Sequence, residues 1–275
     1  MLYVWARAVA FAHINGAQLF VSPWSRFRLG PFMRGERSKR LYLGSFKGDP
    51  VGARLQLLAA RATRKSIRDP AIAPVSDEAA HSSLFVFDRL GGNPSDPFRD
   101  LIAHRDTILS RFFAMLSDPI QAHLGELDAP VIGIHVRRGD FTNGPWETPM
   151  EHFCDRLRAL RDVAGTELAA TVFSDGSDEE LAPLLANPGV RRAPRQPDVL
   201  DLIQLSRSRV IVPSRASTFG MLAGFLSEAV IIRDPEWNHG DSRPAQINLR
   251  RFEGAPAMDP ARWPYLLVQN LREGR

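Results

Sequence analysis

The chain has 275 residues, of which 44% are hydrophobic, so it can form one large domain or two domains of ordinary size. This composition excludes a disordered protein, and the single cysteine, Cys154, excludes an internal disulfide framework and favours a reducing compartment. The formal net charge of +4 is modest and scattered, and the basic side chains are nearly all arginine, so nucleic acid is a weak candidate ligand and an anionic small molecule explains a local basic cluster equally well.

The sequence contains no candidate for a membrane-spanning helix. Charged residues interrupt each apolar run before it reaches the roughly 18 residues that cross a bilayer. The apolar stretch at the start of the chain also lacks the basic region that precedes the apolar part of a signal peptide. We therefore expect a cytoplasmic protein, with peripheral association at the inner membrane face left open.

The first half of the chain is predicted to be rich in helix, and we assign residues 1–128 to an N-terminal domain. Its expected elements are a helix over 1–14 turned by Asn15 and Gly16, a strand over 17–21, irregular chain over 22–50, and helices over about 51–66 and 97–117. The opening helix has no cap and no strand before it.

From Pro130 onward, short apolar strands alternate with helices, which indicates a parallel sheet covered on both faces. The expected strands span 131–136, 169–175, 209–214 and 229–234, with helices over about 148–163, 177–187 and 198–207 and from Phe219. Thr148 with Glu151, and Ser177 with Glu180, have the spacing of capping boxes. We predict a Rossmann-like domain over 129–245 and a terminal segment over 246–275 that packs back on the body.

The carboxyl ends of three predicted strands carry unusual chemistry. Because ligands bind beyond these ends in parallel sheets, the residues that follow them are expected to share one site. The three segments are His135-Val136-Arg137-Arg138-Gly139-Asp140, Ser174-Asp175-Gly176, and Ser214-Arg215-Ala216-Ser217-Thr218-Phe219. The third segment enters a helix, whose N-terminus favours anions, and arginine binds phosphate with two hydrogen bonds. The pattern therefore predicts a diphosphate between Arg137 and the turn at Ser217 and Thr218.

Each of these segments also has a purely structural interpretation. A strand histidine such as His135 is commonly a satisfied core residue, and Ser217 with Thr218 is typical of an ordinary helix cap. Asp175 fits a turn, and either Arg137 or its neighbour fits a solvated side chain paired with Asp140. The functional interpretation depends on the convergence of three separate strand ends.

The segment "IHVRRGDF" resembles the His-x-Arg-Arg signature of α-1,2-, α-1,6- and protein O-fucosyltransferases, most closely the bacterial α-1,2-fucosyltransferases of glycosyltransferase family 11. The segments "VFSDGSDEEL" and "DVLDLIQLSRSRVIVPSRASTFGMLAGFL" are similar to the later motifs of that family. The resemblance implies an α/β, GT-B-like fold, in which a helix-rich N-terminal domain on the acceptor side joins a Rossmann-like domain that binds the GDP-sugar. It also implies an inverting, metal-independent transfer of fucose from GDP-fucose to a glycan hydroxyl, with the α-1,2 linkage favoured.

The resemblance implies catalytic roles for Arg137 and Arg138 and no cofactor or metal, and the position of Asp140 after them makes it a third candidate. Arg137 would hold the β-phosphate of GDP-fucose and stabilise the leaving group. Arg138 would hold the geometry of the motif or add positive charge. Asp140, at the mouth of the expected site, is the candidate base for the acceptor hydroxyl, or else the partner that fixes one of the two arginines.

The resemblance also implies donor-binding roles. His135 would contact the guanine or its ribose, and Asp175 would accept hydrogen bonds from the guanine base. Ser217, Thr218 and Phe219 would line the pyrophosphate.

Two departures from the family pattern keep alternatives open. Family members open with a Gly-rich loop before the first helix, where this chain has Met1, so we expect the N-terminal domain to lack its first strand and this loop. After Phe219, the usual run rich in tryptophan becomes "GMLAGFLSE". The alternatives are a GT-B-like transferase for another nucleotide sugar, a non-catalytic nucleotide- or glycan-binding homologue, and a nucleic-acid binder. The last would use the basic run formed by Arg26, Arg28, Arg34, Arg37, Lys39 and Arg40.

Overall fold

The computed structural model describes residues 1–21, 42, 44–48, 50–91, 93, 96–142, 144–237 and 240–273, without the side chains of Asp140 and Glu273. The helices are α1 Leu2–Ile14, α2 Val51–Thr63, α3 Asp77–Ser82, α4 Arg99–Ile102, α5 Arg105–Ala114, α6 Asp118–His123, α7 Met150–Ala164, α8 Asp178–Leu185, α9 Asp198–Ser206, α10 Thr218–Leu226, α11 Ala245–Asn248 and α12 Tyr265–Glu273. The strands are β1 Lys65–Arg68, β2 Ser83–Val86, β3 Ile132–Val136, β4 Ala170–Ser174, β5 Val190–Arg192, β6 Val210–Pro213, β7 Val230–Ile232 and β8 Glu253–Gly254. Short 3₁₀ helices span Gly139–Phe141 and Pro260–Arg262.

The C-terminal half is built on a six-stranded parallel sheet with the strand order β5-β4-β3-β6-β7-β8. The chain winds from β3 outward to β5, then returns to the middle and winds outward in the other direction from β6 to β8. This is the strand order of a Rossmann fold, and its switch point lies between β3 and β6. The α/β fold expected from the sequence is therefore confirmed.

Both faces of this sheet are covered, which explains why its strands are continuous apolar runs. All five residues of β3 are buried. One face packs against α1, α5, α9 and α10, and the other packs against α7, α8 and α12. Among the described residues, no helix is both long and apolar enough to cross a bilayer.

The N-terminal half differs from the expectation at several points. Residues 17–21 form no strand. A two-stranded parallel sheet of β1 and β2 is present instead, and the sequence analysis missed it because "KSIR" has no apolar alternation. The helix expected over 97–117 is broken into α4 and α5, because the chain turns where the His104 N–H donates to the Leu101 carbonyl at 2.9 Å.

One of the two predicted capping boxes forms. Ser177 and Glu180 make the reciprocal bonds of a capping box at the start of α8. The prediction for Thr148 is wrong, because α7 begins at Met150 without a side-chain cap. The Thr148 hydroxyl instead accepts a hydrogen bond from the Arg215 N–H at 2.9 Å. The boundary that we drew near residue 128 stays a prediction.

Candidate functional site

The carboxyl ends of β3 and β6 are held together at the switch point by Ser214. Its backbone N–H and its hydroxyl both donate to the His135 carbonyl, at 2.9 and 3.0 Å. Its hydroxyl oxygen also accepts from the Arg137 N–H at 2.7 Å. Ser214 is 4% exposed, so these bonds are shielded from water. The two loops that carry the predicted ligand-binding residues therefore have a fixed separation.

Arg137 forms an ion pair with Asp175, which follows the neighbouring strand β4. The distance between Arg137 Nη1 and Asp175 Oδ2 is 2.8 Å, and Asp175 Oδ1 accepts from the Arg138 N–H at 2.7 Å. Both carboxylate oxygens of Asp175 are thus engaged within the protein. The Arg137 guanidinium carbon also lies 5.3 Å from the ring centre of Phe141. These contacts orient the guanidinium before any ligand arrives.

Arg138 has a different role from Arg137. Its side chain is 7% exposed and forms an ion pair with Glu147, and it is absent from the residues that line the cleft described below. Gly176 allows this position, because a Cβ there would lie 2.8 Å from Arg138 Cγ. Arg138 therefore anchors the loop that carries Glu147.

The loop after β6 leads into α10 with an uncommon backbone geometry. Ala216 has a φ of +48°, and Ser217 caps the helix by accepting from the Gly220 N–H. Gly220 lets the helix approach the sheet closely, since a Cβ there would lie 2.7 Å from Pro213 Cβ. Phe219 stacks on the His135 ring at 5.0 Å between centroids and 28° between planes. The N-terminal turn of α10 consequently faces the space beside Arg137.

An ionic cluster centred on the buried Asp234 supports this loop and extends to the exposed Glu236. The Arg215 guanidinium binds Asp234 at 2.7 Å and Glu236 at 2.8 Å. His152 Nδ1 lies 3.4 Å from the same Asp234 carboxylate. Burial lowers the pKa of His152, and Arg156 and Arg215 act in the same direction, while Asp234 opposes them. The neutral histidine is therefore the form that the folded protein favours.

A cleft of about 1530 Å³ opens at this edge of the sheet and reaches the N-terminal half. The α1 helix and the β2 strand supply an apolar wall, with Val4, Trp5 and Phe11 among its residues. The acidic side chains that line the cleft among the described residues are Asp88, Asp175, Asp198 and Asp201. The space is large enough for a nucleotide together with a second substrate.

The structure brings most of the predicted site residues to this cleft. His135, Arg137, Asp175, Ser217, Thr218 and Phe219 all line it. The side chain of Asp140 lies outside the described residues, as does the basic run between Arg26 and Arg40 on which a nucleic-acid interpretation depended.

The sequence analysis missed the supporting residues Glu147 and Asp234. It placed Ser214 at the site without a specific role and gave Thr148 the wrong role, because the roles of all four residues depend on tertiary contacts. The serine that follows the buried strand β6 was the one available signal. Within the described parts of the chain, no group of three or more His, Cys, Asp or Glu side chains has the geometry of a metal site.

Comparison with known proteins yields no matching family model and no matching curated protein. Similar solved structures include the fucosyltransferase NodZ from Bradyrhizobium, at 17% identity over 86% of this chain and 91% of that chain, with a TM-score of 0.44. POFUT1 in complex with GDP-fucose is 12% identical over 80% and 88% of the two chains, with a TM-score of 0.42. The E. coli heptosyltransferase WaaC is 11% identical over 100% and 96%, with a TM-score of 0.44. Similarity at this level assigns no activity to the chain.

Proposed function

We propose that the protein transfers fucose from GDP-fucose to a hydroxyl group of a glycan, with inversion at the sugar carbon and without a metal ion. The observation that carries this proposal is the position of Arg137, which lines the cleft at the switch point and is oriented there by Asp175. It directly follows β3, whose neighbour β6 leads into the loop that opens α10, and the N-terminus of that helix favours negative charge. A diphosphate fits between these two positive features.

The chemistry of fucosyl transfer needs a cation at this point. The bond between fucose C1 and the β-phosphate oxygen breaks, and a bond from C1 to the acceptor oxygen forms. Negative charge develops on the β-phosphate as GDP leaves, so a guanidinium fixed beforehand stabilises the transition state more than the ground state. The acceptor proton passes to a base. We keep Asp140 as the candidate base, because its backbone lies in the 3₁₀ helix that follows the two arginines.

Asp175 and Arg138 have supporting roles in this proposal. Because Asp175 already holds Arg137 and the Arg138 N–H, we assign it to the orientation of the phosphate-binding arginine ahead of direct recognition of guanine. His135 and Phe219 form a stacked pair on the floor of the cleft, where the nucleoside or its ribose would lie. The preference for fucose and for the α-1,2 linkage comes only from the similarity of the sequence motifs.

The proposal is tested by thermal unfolding of the purified protein with GDP, GDP-fucose, UDP or ADP in EDTA. We expect stabilisation by the two guanosine compounds alone, of about 2.7 kcal/mol at a ligand concentration one hundred times its Kd. Stabilisation should be lost in Arg137→Ala. Arg191→Ala removes an exposed arginine of the same sheet, paired with Asp128, and is the matched control.

Two other results would redirect the proposal. Stronger stabilisation by UDP or ADP than by the guanosine compounds would indicate a transferase for another nucleotide sugar. No stabilisation by any nucleotide would refute the donor site itself. If GDP binds, release of GDP from GDP-fucose in the presence of a glycan panel separates an enzyme from a non-catalytic binding protein.

A further inference from the structure

Trp146 is an exposed aromatic residue at the edge of the cleft, and neither the sequence motifs nor the donor chemistry gives it a role. Its side chain is 48% exposed although it lies among the cleft residues beside Phe141. We propose that Trp146, backed by Phe141, is the platform on which a sugar ring of the acceptor glycan stacks. This inference deepens the proposed function and rests on it.

The loop that carries Trp146 is anchored at several points. The Phe141 N–H donates to the Arg138 carbonyl at 2.9 Å, the Gly144 N–H to the Phe141 carbonyl at 3.0 Å, and the Glu147 N–H to the Gly144 carbonyl at 3.1 Å. The Glu147 side chain then binds the buried Arg138 guanidinium. Burying an arginine is unfavourable unless it is paired, so this ion pair ties the residue next to Trp146 firmly to the end of β3. The aromatic surface is therefore preorganised, which lowers the entropy lost when a ligand binds.

A chain of ring contacts links this surface to the phosphate-binding arginine. The ring centres of Trp146 and Phe141 are 6.4 Å apart, and Phe141 in turn lies 5.3 Å from the Arg137 guanidinium carbon. A sugar ring that stacks on Trp146 would thus lie one side chain away from the residue that contacts the phosphate-binding arginine. A glycan anchored there can extend a hydroxyl toward fucose C1.

The chemistry of the surface suits a neutral sugar ring. A pyranose has a face of C–H groups and a rim of hydroxyls, so it combines an apolar body with hydrogen-bonding groups. The broad, half-exposed indole of Trp146 matches the first feature. Polar groups elsewhere in the cleft would have to meet the second. A cleft with an aromatic wall and a few polar groups is the usual form of a small-molecule site.

The experiment is fluorine NMR of protein in which the five tryptophans are replaced by fluorotryptophan. The Trp146 resonance is assigned as the one absent from Trp146→Phe. Methyl galactoside, N-acetylglucosamine and lactose are titrated in the presence of saturating GDP, with sorbitol as an acyclic polyol control. We expect at least one ring sugar to shift the Trp146 resonance in a saturable way, with no shift at buried Trp263 and none with sorbitol. No saturable shift with any of the sugars, or equal shifts with sorbitol, would overturn the inference.

Sugar affinities of four variants distinguish loss of stacking on Trp146 from a general effect on the fold. Trp146→Ala should weaken binding of the responding sugar about tenfold, and Trp146→Phe by less, because a smaller ring retains part of the stacking. Glu147→Gln should also weaken it, through release of the loop. Tyr265→Ala removes an exposed aromatic side chain outside the cleft and should have no effect. Equal weakening by Tyr265→Ala would overturn the inference.

Thermal stabilisation by GDP, measured on the same samples, distinguishes the two proposals. If GDP binds to the protein and no sugar perturbs Trp146, the acceptor platform is wrong and the donor site stands. If sugars perturb Trp146 and GDP does not bind, Trp146 binds sugars, but the proposed transfer reaction is wrong and the acceptor role falls with it.

Discussion

Two arginine–carboxylate clusters in this protein share the same chemistry and differ in their access to the cleft. In the first, Arg137 and Asp175 are 15% and 5% exposed and line the cleft. In the second, Glu253 binds Arg233 and Arg243, whose side chains are 4% and 0% exposed, and none of the three lines the cleft. The difference in exposure decides which guanidinium can meet a ligand. The second cluster instead connects β8 to β7 and to the segment before α11.

In the second cluster, Arg243 and Glu253 also form hydrogen bonds with other groups of the protein. Arg243 donates to the Ala229 carbonyl at 2.6 Å and to Asn248 at 3.1 Å, and Glu253 accepts from the Ser242 N–H at 2.9 Å. Burial alone would raise the pKa of Glu253, but the two arginines and Ser242 lower it below its usual value. The ionised Glu253 therefore contributes to the free energy of unfolding at any pH above the ordinary carboxyl pKa. This contribution is lost as the pH falls through the lowered pKa of the folded protein.

The largest effect is expected when the second cluster is broken. Glu253→Gln leaves two buried arginines without their negative partner, and we expect the free energy of unfolding to fall by about 3–5 kcal/mol. Urea denaturation measures this. Asp155→Asn removes one member of an exposed pair with Arg158 and should change the same quantity by about 1 kcal/mol or less. Equal losses in the two variants would show that burial does not distinguish these ion pairs.

Breaking the first cluster should affect binding more than folding. Asp175→Asn retains an acceptor for the Arg138 N–H and removes the charge that holds Arg137, so we expect GDP affinity to fall about tenfold. Calorimetric titration with GDP and with IDP, which lacks the exocyclic amine of guanine, tells two roles apart. If Asp175 orients Arg137, the preference of the protein for GDP over IDP stays unchanged in the variant. Loss of that preference would instead indicate direct recognition of guanine.

The contrast between the clusters also explains how much the sequence could predict. Continuous apolar strands, each followed by a helix, predicted the parallel sheet correctly, because burial on both faces leaves a strong local signal. The same logic predicted that His135, Arg137, Asp175 and Ser217 would meet at one edge. Such an inference needs only the direction of the strands.

The remaining features depend on contacts between segments that are far apart in the chain. Thr148 has the spacing of a helix cap, but its hydroxyl bonds Arg215, which is 67 residues away. Nothing near Arg138 in the sequence identifies Glu147, nine residues further on, as its partner. The β1 strand is largely exposed and charged, so no burial pattern marks it. These features follow from tertiary geometry and could not be read locally.

A smaller effect on stability is expected at the cap of α10, which lines the same cleft as Arg137 and Asp175. Ser217→Ala removes the acceptor for the Gly220 N–H and should lower the free energy of unfolding by about 1 kcal/mol. Ser177→Ala, at the capping box of α8, should have a similar effect on stability. Only the variant at Ser217 should also weaken GDP binding, because only that helix begins at the cleft. Equal GDP affinity in the two variants would contradict a phosphate site at α10.

The smallest effect at neutral pH is expected from His152, which lies beside Asp234, and it concerns how the free energy of unfolding changes with pH. Because the pKa of His152 is lowered in the folded protein, the unfolded chain binds more protons near pH 6, and stability should fall as the pH drops below about 6.5. His152→Gln should flatten this dependence by at most one proton, which is about 1.4 kcal/mol per pH unit. Urea denaturation between about pH 5 and 8 measures the slope, with His81→Gln, on the exposed surface, as the control for loss of a histidine. A steeper acid dependence in His152→Gln would mean that Asp234 outweighs burial and keeps this histidine charged, and the loop at Arg215 would then be held by an ion pair on both sides.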